Sequence, residues 1–270
     1  MLGKLIKYEF KATGKIFGLL FGALLILTLL TRFCVYIPFD NSVFKLLNGL
    51  LTIFYFIAVL GLTMFSIVIV AMRFNRSMLR DEGYLSHTLP VKTWQHLVAK
   101  GLTYTVWIIA SLIMMLVSVF IFFVGTKKFD RFTHAVNHFM QNVDKGLLVL
   151  FIVVVILGIV AYIYNFFAAL SLGQIFVKHK IAGAVLFFFV LNYAMNFLAV
   201  GLMMVLPDFI VDVNEMDAKI NAARTFADII DAVGSTLYLL LFFGLAVSII
   251  LTIVYFAVSN YMLSKKLNLE

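Results

Sequence analysis

Charged residues are scarce in this sequence. Only 13% of its 270 residues are charged, whereas 64% are hydrophobic, and the mean hydropathy is +1.08. A soluble domain of this size could not cover so much apolar surface with polar groups, so the composition indicates a protein that lies in a bilayer. The segments between the apolar runs are each shorter than about 30 residues, which excludes a large soluble domain beside the membrane part.

Residue sets that carry out chemistry are also lacking. The single cysteine, Cys34, excludes an intrachain disulfide and is interpreted as a small buried hydrophobic residue. The sequence has no glycine-rich phosphate loop, no Ser-His-Asp or Cys-His set and no paired carboxylates at membrane depth. The middles of the apolar runs have essentially no ionisable residue, which argues against a carrier driven by protons or sodium. We therefore expect no catalytic site, no metal and no cofactor in this chain.

The sequence does have six apolar runs long enough to cross a bilayer. The runs are continuous rather than short and alternating, which favours helices over barrel strands. We predict an all-α polytopic protein with a single transmembrane domain over 1–270 and spans at 16–37, 48–72, 102–125, 146–170, 182–206 and 236–260. The first run is followed by no small-residue cleavage site, so we expect it to be retained as a membrane helix.

Lysine and arginine predict the orientation of the chain. If the N-terminus is cytoplasmic, the inner segments carry thirteen of these residues and the outer segments eight. Both termini are then cytoplasmic. The net charge of +8 follows from this topology rather than from nucleic-acid binding.

Two segments outside the apolar runs, residues 1–15 and 207–235, have patterns that predict amphipathic helices. In residues 1–15, lysines occupy one face of a helical wheel and apolar residues the opposite face; the lysines are Lys4, Lys7, Lys11 and Lys15, and the apolar residues are Leu2, Leu5, Ile6 and Phe10. This pattern favours a helix anchored in the inner interface over a basic segment that only fixes topology. The segment 207–235 predicts one or two short outer helices between Pro207 and Gly234.

Asp130, His134 and His138 are spaced by four residues in the outer segment between the third and fourth spans. On a helix they line one face and could bind a metal. Three such residues in a short exposed segment are weak evidence, so we favour a solvated helical face and assign no metal.

Two spans carry stripes of uncharged polar residues. The stripes are Asn48, Thr52, Tyr55, Thr63 and Ser66 in the second span and Asn192, Tyr193 and Asn196 in the fifth. Polar groups are costly against lipid, so both stripes should face protein or a pathway. They could line a translocation path, for which Asn48, Thr52, Tyr55, Thr63, Ser66, Asn192 and Asn196 are the candidates, or they could form hydrogen bonds between helices.

The segment 73–101 is the densest charged stretch. Arg73, Arg76 and Arg80 form one face where the second span leaves the bilayer. A short helix, Tyr84–Leu89, is expected to follow Gly83 and to end at Pro90. The next helix should begin near Thr93 as N-cap, with Trp94 and Lys100 at the membrane interface.

Residues 80–91, RDEGYLSHTLPV, with Trp94 and the pair Lys100-Gly101, resemble the cytoplasmic coupling loop of permease subunits of type-two ABC exporters. The resemblance extends over the whole chain: an N-terminal amphipathic helix, six spans, a loop after the second span and a helical outer segment before the sixth. Within that family the chain is most similar to small permeases of Gram-positive bacteria that export phenol-soluble modulins and related amphipathic or antimicrobial peptides.

The resemblance implies a partner protein, an ATPase, and a cellular location. Two permeases pair, as a homodimer or a heterodimer, and two separate ABC-type ATPase subunits carry ATP and Mg. A coupling helix, Glu82–Leu89, fits a groove on the ATPase, in a bacterial cytoplasmic membrane. The residues expected to take part are Arg76, Arg80, Asp81, Glu82, Tyr84, Leu85, His87 and Leu89. Apolar side chains would supply contact and charged ones would fix orientation.

The expected function is thus a membrane-spanning exporter subunit for an amphipathic peptide or lipophilic compound, without its own catalytic site. An energy-independent channel, scaffold or sensor subunit is the alternative, since it explains the absence of intramembrane charge equally well.

Overall fold

The computed structural model describes residues 1–36, 42–79, 83, 91–176, 178–205, 221 and 226–265. Its regular elements are all helical: α1 Leu2–Tyr36, α2 Ser42–Phe74, a π-helical turn Asn75–Leu79, α3 Thr93–Phe123, α4 Lys127–Asn142, α5 Lys145–Gly173, α6 Lys180–Val205 and α7 Phe226–Lys265. Six of these helices, all but α4, are long and apolar enough to cross a membrane. The helical fold class is therefore confirmed, as is the prediction of six helices long and apolar enough to cross a membrane.

Some helix bounds differ from those that the sequence predicts. α1 runs without a break through residue 15, where an interfacial helix was expected to give way to the first span. At about 1.5 Å per residue its 35 residues extend roughly 52 Å, so its first turns project beyond a hydrocarbon layer of about 30 Å. The backbone at Thr93 is already helical, and Lys92, in an extended conformation, takes the expected N-cap position of Thr93 without a side-chain cap bond.

α7 also begins earlier than expected. It starts at Phe226 rather than near 236, so Gly234 lies inside this helix and does not close a separate short one. A single glycine disfavours a helix by only about 1 kcal/mol, which the flanking helical residues outweigh. The remainder of the predicted outer helical segment lies, apart from residue 221, outside the described residues.

The chain divides into two compact units, Met1–His134 and Ala135–Glu270. In the first unit α1, α2 and α3 pack against one another. Thr28 of α1 contacts Ser118 of α3, and Arg32 contacts Phe122, so these two helices run parallel. Along α2 the order is reversed, because Tyr55 contacts Ser118 whereas Ser66 contacts Ser111, so α2 runs antiparallel to both. Leu24, Tyr55, Val59 and Leu62 form the buried core of this bundle.

In the second unit α5 packs against both α6 and α7. α5 and α7 run parallel, as the contacts of Gly244 with Val154 and of Phe256 with Tyr164 show, and α6 runs opposite to them. The rings of Phe166 and Phe188 stack with centroids 4.4 Å apart, which is the closest aromatic contact between α5 and α6.

Close approach of α5 and α6 depends on two glycines at their turn. A Cβ on Gly173 would lie 2.6 Å from the backbone nitrogen of Ala184, and a Cβ on Gly183 would lie 2.4 Å from the ring of Phe176. Real Cβ atoms do not approach backbone this closely. The helices can therefore meet here only because neither position carries a side chain.

Polar side chains form hydrogen bonds at two helix ends on the predicted outer side, the C-terminal end of α3 and the N-terminal end of α5. The Arg32 guanidinium of α1 donates to the carbonyl oxygen of Phe122 at 3.0 Å and also to that of Val124, where it complements the carboxyl end of α3. Asp144 caps α5 by accepting from the Gly146 N–H at 2.9 Å. A hydrogen bond from the Tyr238 hydroxyl, with that from Gly146, holds the pKa of Asp144 below its ordinary value.

Replacing Gly173 with alanine should lower the thermal unfolding midpoint of the purified protein. The new methyl group must displace the backbone of α6, and such overpacking costs about 1–3 kcal/mol. The matched control is Gly18→Ala, whose Cβ would meet no atom within 4 Å. It should leave the midpoint unchanged or raise it, since alanine favours a helix. Equal midpoints for both variants would contradict the close packing of α5 and α6.

Candidate functional site

The segment predicted to couple the permease to a partner lies between α2 and α3. Of its eight candidate residues only Arg76 belongs to the described part of the chain, and its side chain is exposed. Arg80, Asp81, Glu82, Tyr84, Leu85, His87 and Leu89 lie outside the described residues. What the structure does describe is how the two helices that flank this segment are held.

α2 ends in the π-helical turn Asn75–Leu79, a form that often marks functional positions in helices. Ser77, Met78 and Leu79 are buried there, and the Ser77 hydroxyl donates to the carbonyl oxygen of Arg73 at 2.7 Å. Gly83 is buried against this turn, because a Cβ there would lie 2.7 Å from the carbonyl oxygen of Met78. The chain therefore leaves α2 through a tightly packed turn.

α3, on the other side of the segment, is tied to α1 by a buried ion pair. The Lys100 ammonium donates to a carboxylate oxygen of Glu9. The side chain of Lys100 is 3% exposed and that of Glu9 is 16% exposed. Lys100 was expected at the membrane interface, but its side chain is buried and paired with Glu9. The pairing is needed because a buried ammonium requires a counter-charge.

Trp107 continues this contact about two turns further along α3. Its indole N–H donates to the Thr13 hydroxyl at 2.8 Å, and Thr13 in turn donates to the carbonyl oxygen of Glu9 at 2.7 Å. The indole stacks on the ring of Phe17 with centroids 4.6 Å apart and an angle of 5° between the rings. Phe10 lies against the other part of the indole, with centroids 5.8 Å apart.

We call these side chains the inner polar cluster; it consists of Glu9, Thr13, Lys100 and Trp107. α2 reaches the same region, because Arg73 and Glu9 both lie close enough to Tyr104 to interact electrostatically with its hydroxyl. Tyr104 is fully buried and His96 is 6% exposed. The ends of α1, α2 and α3 that flank the predicted coupling segment therefore share one buried polar region.

The four lysines predicted to anchor α1 are all exposed, as an interfacial anchor requires. The apolar face opposite them is half-buried, and Phe10 on that face contacts Trp107 of α3. At Phe10, the apolar face of the first turns of α1 therefore packs on α3. Their role as a membrane anchor stays a prediction.

The polar stripe of α2 points into the interior of the first unit. Tyr55 shares a hydrogen bond of 3.0 Å with Ser118, which also lies 2.8 Å from the Thr28 hydroxyl. Ser66 lies 2.8 Å from the Ser111 hydroxyl. Within this unit Tyr55 and Ser66 thus form bonds between helices, which was the alternative to lining a path.

The other members of that stripe donate to backbone carbonyl oxygens, Asn48 to one of α1 and the two threonines to those of α2. Asn48 donates to the carbonyl oxygen of Cys34 at 3.0 Å, and Thr52 and Thr63 donate to carbonyl oxygens of their own helix. Backbone carbonyl oxygens thus accept from all three side chains. Whether any of them contacts a transported molecule stays a prediction.

Asn192 and Asn196, the candidates in α6, line a cavity in the second unit. Its volume is about 200 Å³ and its wall includes residues of α5, α6 and α7. Tyr193, next to them in sequence, is 72% exposed and does not belong to the wall. The structure therefore brings the two asparagines to one place.

Asp130, His134 and His138 lie on α4 and are all exposed. In the described ranges no group of three His, Cys, Asp or Glu side chains lies close enough to hold a metal. α4 carries phenylalanines as well: Phe129 and Phe132 enclose an apolar cavity of about 450 Å³ with the end of α3.

Sequence reasoning missed two groups that the structure brings out. Glu9 and Lys100 are separated by 91 positions, so their pairing is not visible in a linear pattern. A signal did exist, because Glu9 lies on the apolar face of α1 between Ile6 and Phe10, where a carboxylate requires a partner. Asn165, a buried amide in an apolar span, was the second omission.

Comparison with protein-family models, with curated proteins and with solved structures finds no match to this chain.

Lys100→Met should lower the thermal unfolding midpoint strongly, because it leaves the Glu9 carboxylate buried without its cation. Breaking a buried pair in this way costs about 3 kcal/mol or more. The double variant Glu9→Gln/Lys100→Met should recover part of that loss, since no buried charge then remains. Lys11→Met, which removes an exposed lysine of the same helix, is the control and should change stability by less than about 0.5 kcal/mol. The single variant Glu9→Gln completes the comparison. If the double variant loses as much stability as Glu9→Gln and Lys100→Met together, the ion pair is contradicted.

Proposed function

We propose that this protein is the membrane-spanning subunit of an ATP-driven exporter. It moves an amphipathic peptide or another lipophilic compound out of the cell. ATP is hydrolysed on a separate ABC-type ATPase subunit, and two copies of this chain pair above two ATPase chains. The bacterial cytoplasmic membrane, with both chain termini in the cytoplasm, is the site of action.

The observation that carries this proposal is the attachment of residues 80–91 at both ends. On one side the chain leaves α2 through the buried turn Asn75–Leu79, and on the other it enters α3, whose Lys100 is paired with Glu9 of α1. Packed interiors transmit displacement because they deform little. A force on the intervening segment would therefore reach α1, α2 and α3 together.

The resemblance of the sequence RDEGYLSHTLPV to a coupling loop supports the same assignment. Gly83 within it packs directly on the carbonyl oxygen of Met78, which gives the segment a close contact with the end of α2. A segment attached in this way can pass on movement that originates in a partner. The chemistry then belongs to that partner, and this chain supplies the pathway.

The composition of the membrane helices is consistent with an apolar cargo. The chain contains 29 phenylalanines, and the middles of the predicted spans carry uncharged polar groups and essentially no acid, base or histidine. A carrier that couples export to protons or sodium usually needs an ionisable residue at membrane depth. Energy supplied from outside the chain agrees with the scarcity of such residues.

Charge reversal at Arg80 or Glu82, or the change Tyr84→Ala, should abolish ATP-dependent export while leaving membrane insertion intact. The reason is that these changes remove charge and apolar contact from the surface offered to the ATPase. The measurement is export of a panel of amphipathic peptides by proteoliposomes that contain both subunits. Arg131→Glu, a reversal at an exposed position of α4 on the predicted outer side, is the matched control and should retain export.

Co-purification tests the proposal independently of cargo. Tagged protein expressed from its native operon should bring down a nucleotide-binding subunit, and Tyr84→Ala should weaken that association. If the wild-type protein never brings one down, the exporter assignment fails and an energy-independent membrane protein takes its place.

A further inference from the structure

The second unit contains a polar cavity within its membrane helices. Its volume is about 200 Å³. Each of the three helices contributes two polar side chains to its wall: Tyr162 and Asn165 from α5, Asn192 and Asn196 from α6, and Ser248 and Tyr255 from α7. Three helices that converge with amides and hydroxyls at one place resemble the general plan of a binding site, in which a few polar groups orient a ligand.

Asn165 is the most informative of these residues. Its side chain is 2% exposed, and its amide oxygen accepts no hydrogen bond from any residue that the structure describes. Burying an acceptor without a partner is unfavourable, and native proteins almost always avoid it. Because Asn165 lies on the cavity wall, a donor inside the cavity would supply the missing partner.

The two asparagines of α6 add further acceptors. The side-chain N–H of Asn192 donates to the backbone carbonyl oxygen of Phe188 at 3.0 Å. The side-chain N–H of Asn196 donates to the backbone carbonyl oxygen of Asn192 at 2.9 Å. A carbonyl oxygen can only accept, so the side-chain NH2 groups must point at these partners. The amide oxygens of Asn192 and Asn196 take no part in these bonds, so the wall presents amide oxygens together with the hydroxyl groups of Tyr162, Ser248 and Tyr255.

The wall also limits the charge and size of the ligand. None of the described residues that line the cavity is ionised at neutral pH, so a charged group would enter without a counter-charge from them. The volume of about 200 Å³ holds the polar end of a molecule rather than a whole amphipathic one. These features favour a small, neutral group that donates hydrogen bonds.

The depth of the cavity indicates how a ligand reaches it. Asn165 lies eight residues before Gly173, the end of α5, or about 12 Å along the helix. Ser248 lies 17 residues before Lys265, the end of α7, or about 25 Å. The cavity therefore extends to the middle of a hydrocarbon layer about 30 Å thick. Tyr162 on its rim is 40% exposed and Asn196 is exposed, so the cavity is open to its surroundings.

From these observations we propose that this cavity binds the hydroxyl-bearing end of a neutral, lipid-soluble molecule that enters from the membrane. The hydroxyl donates to the amide oxygen of Asn165, and Asn192, Asn196 and Ser248 surround it. Binding at this site does not depend on the partner ATPase. Only the further step, in which the bound molecule is the exported cargo, rests on the proposed function.

The test is photolabelling of the purified chain alone in lipid nanodiscs. One probe is a long-chain alcohol that carries a diazirine, and the matched probe is its methyl ether, which lacks the donor. We expect the alcohol to label peptides of α5, α6 and α7 at least about threefold more than the ether, as the loss of one hydrogen bond predicts. Equal labelling by the ether, which indicates an apolar crevice, or no labelling in these helices, which indicates a cavity that holds water only, would overturn the proposal.

Variants locate the contact. Asn165→Leu keeps the volume and removes the acceptor, and should abolish the preference for the alcohol. Asn137→Leu makes the same change at an exposed asparagine of α4, outside the cavity, and should preserve the preference. If Asn165→Leu does not yield folded protein, Ser248→Ala serves instead and should reduce the preference. An unchanged preference in the folded Asn165 or Ser248 variant would remove the site from this cavity.

Discussion

Hydrocarbon offers no hydrogen bonds, and this constraint accounts for most of the structure. Each polar group within a span must find its partner in the protein. Threonines and serines meet this demand by donating to carbonyl oxygens of their own helix, as Thr103 and Ser259 do. Where such side chains also pair across helices, as Ser66 does with Ser111, they fix which faces meet. Apolar packing alone could not select those faces, because lipid is as apolar as a leucine side chain.

The same constraint makes the inner polar cluster informative. A lysine and a glutamate buried together are weak evidence for stability, because removing both from water is itself unfavourable. They do fix an arrangement strongly, since neither charge can leave the other without a large penalty. The cluster joins α1 to α3, the helix that follows the predicted coupling segment. These two helices are therefore held together at that end of the first unit.

The sequence was sufficient to predict the features that depend on the length and hydropathy of a continuous segment. Hydropathy located all six membrane helices because the thickness of the hydrocarbon sets a minimum length for each. It did not find the continuity of α1 through residue 15 or the early start of α7, because helix ends depend on capping and packing rather than on hydropathy. The pairing of Glu9 with Lys100 and the unpartnered oxygen of Asn165 depend on contacts between distant parts of the chain. An acid on an apolar helix face and a lone amide in an apolar run are the local signals that such contacts leave in a sequence.

The two ends of α5 are held by different neighbours. At its first residues Asp144 accepts a hydrogen bond from Tyr238 of α7, and at its last residue Gly173 lies against Ala184 of α6. The polar cavity lies between these two fixed points. α5 is thus joined to α7 at one end and to α6 at the other, so the two helices that share the cavity wall with it are attached to it at opposite ends.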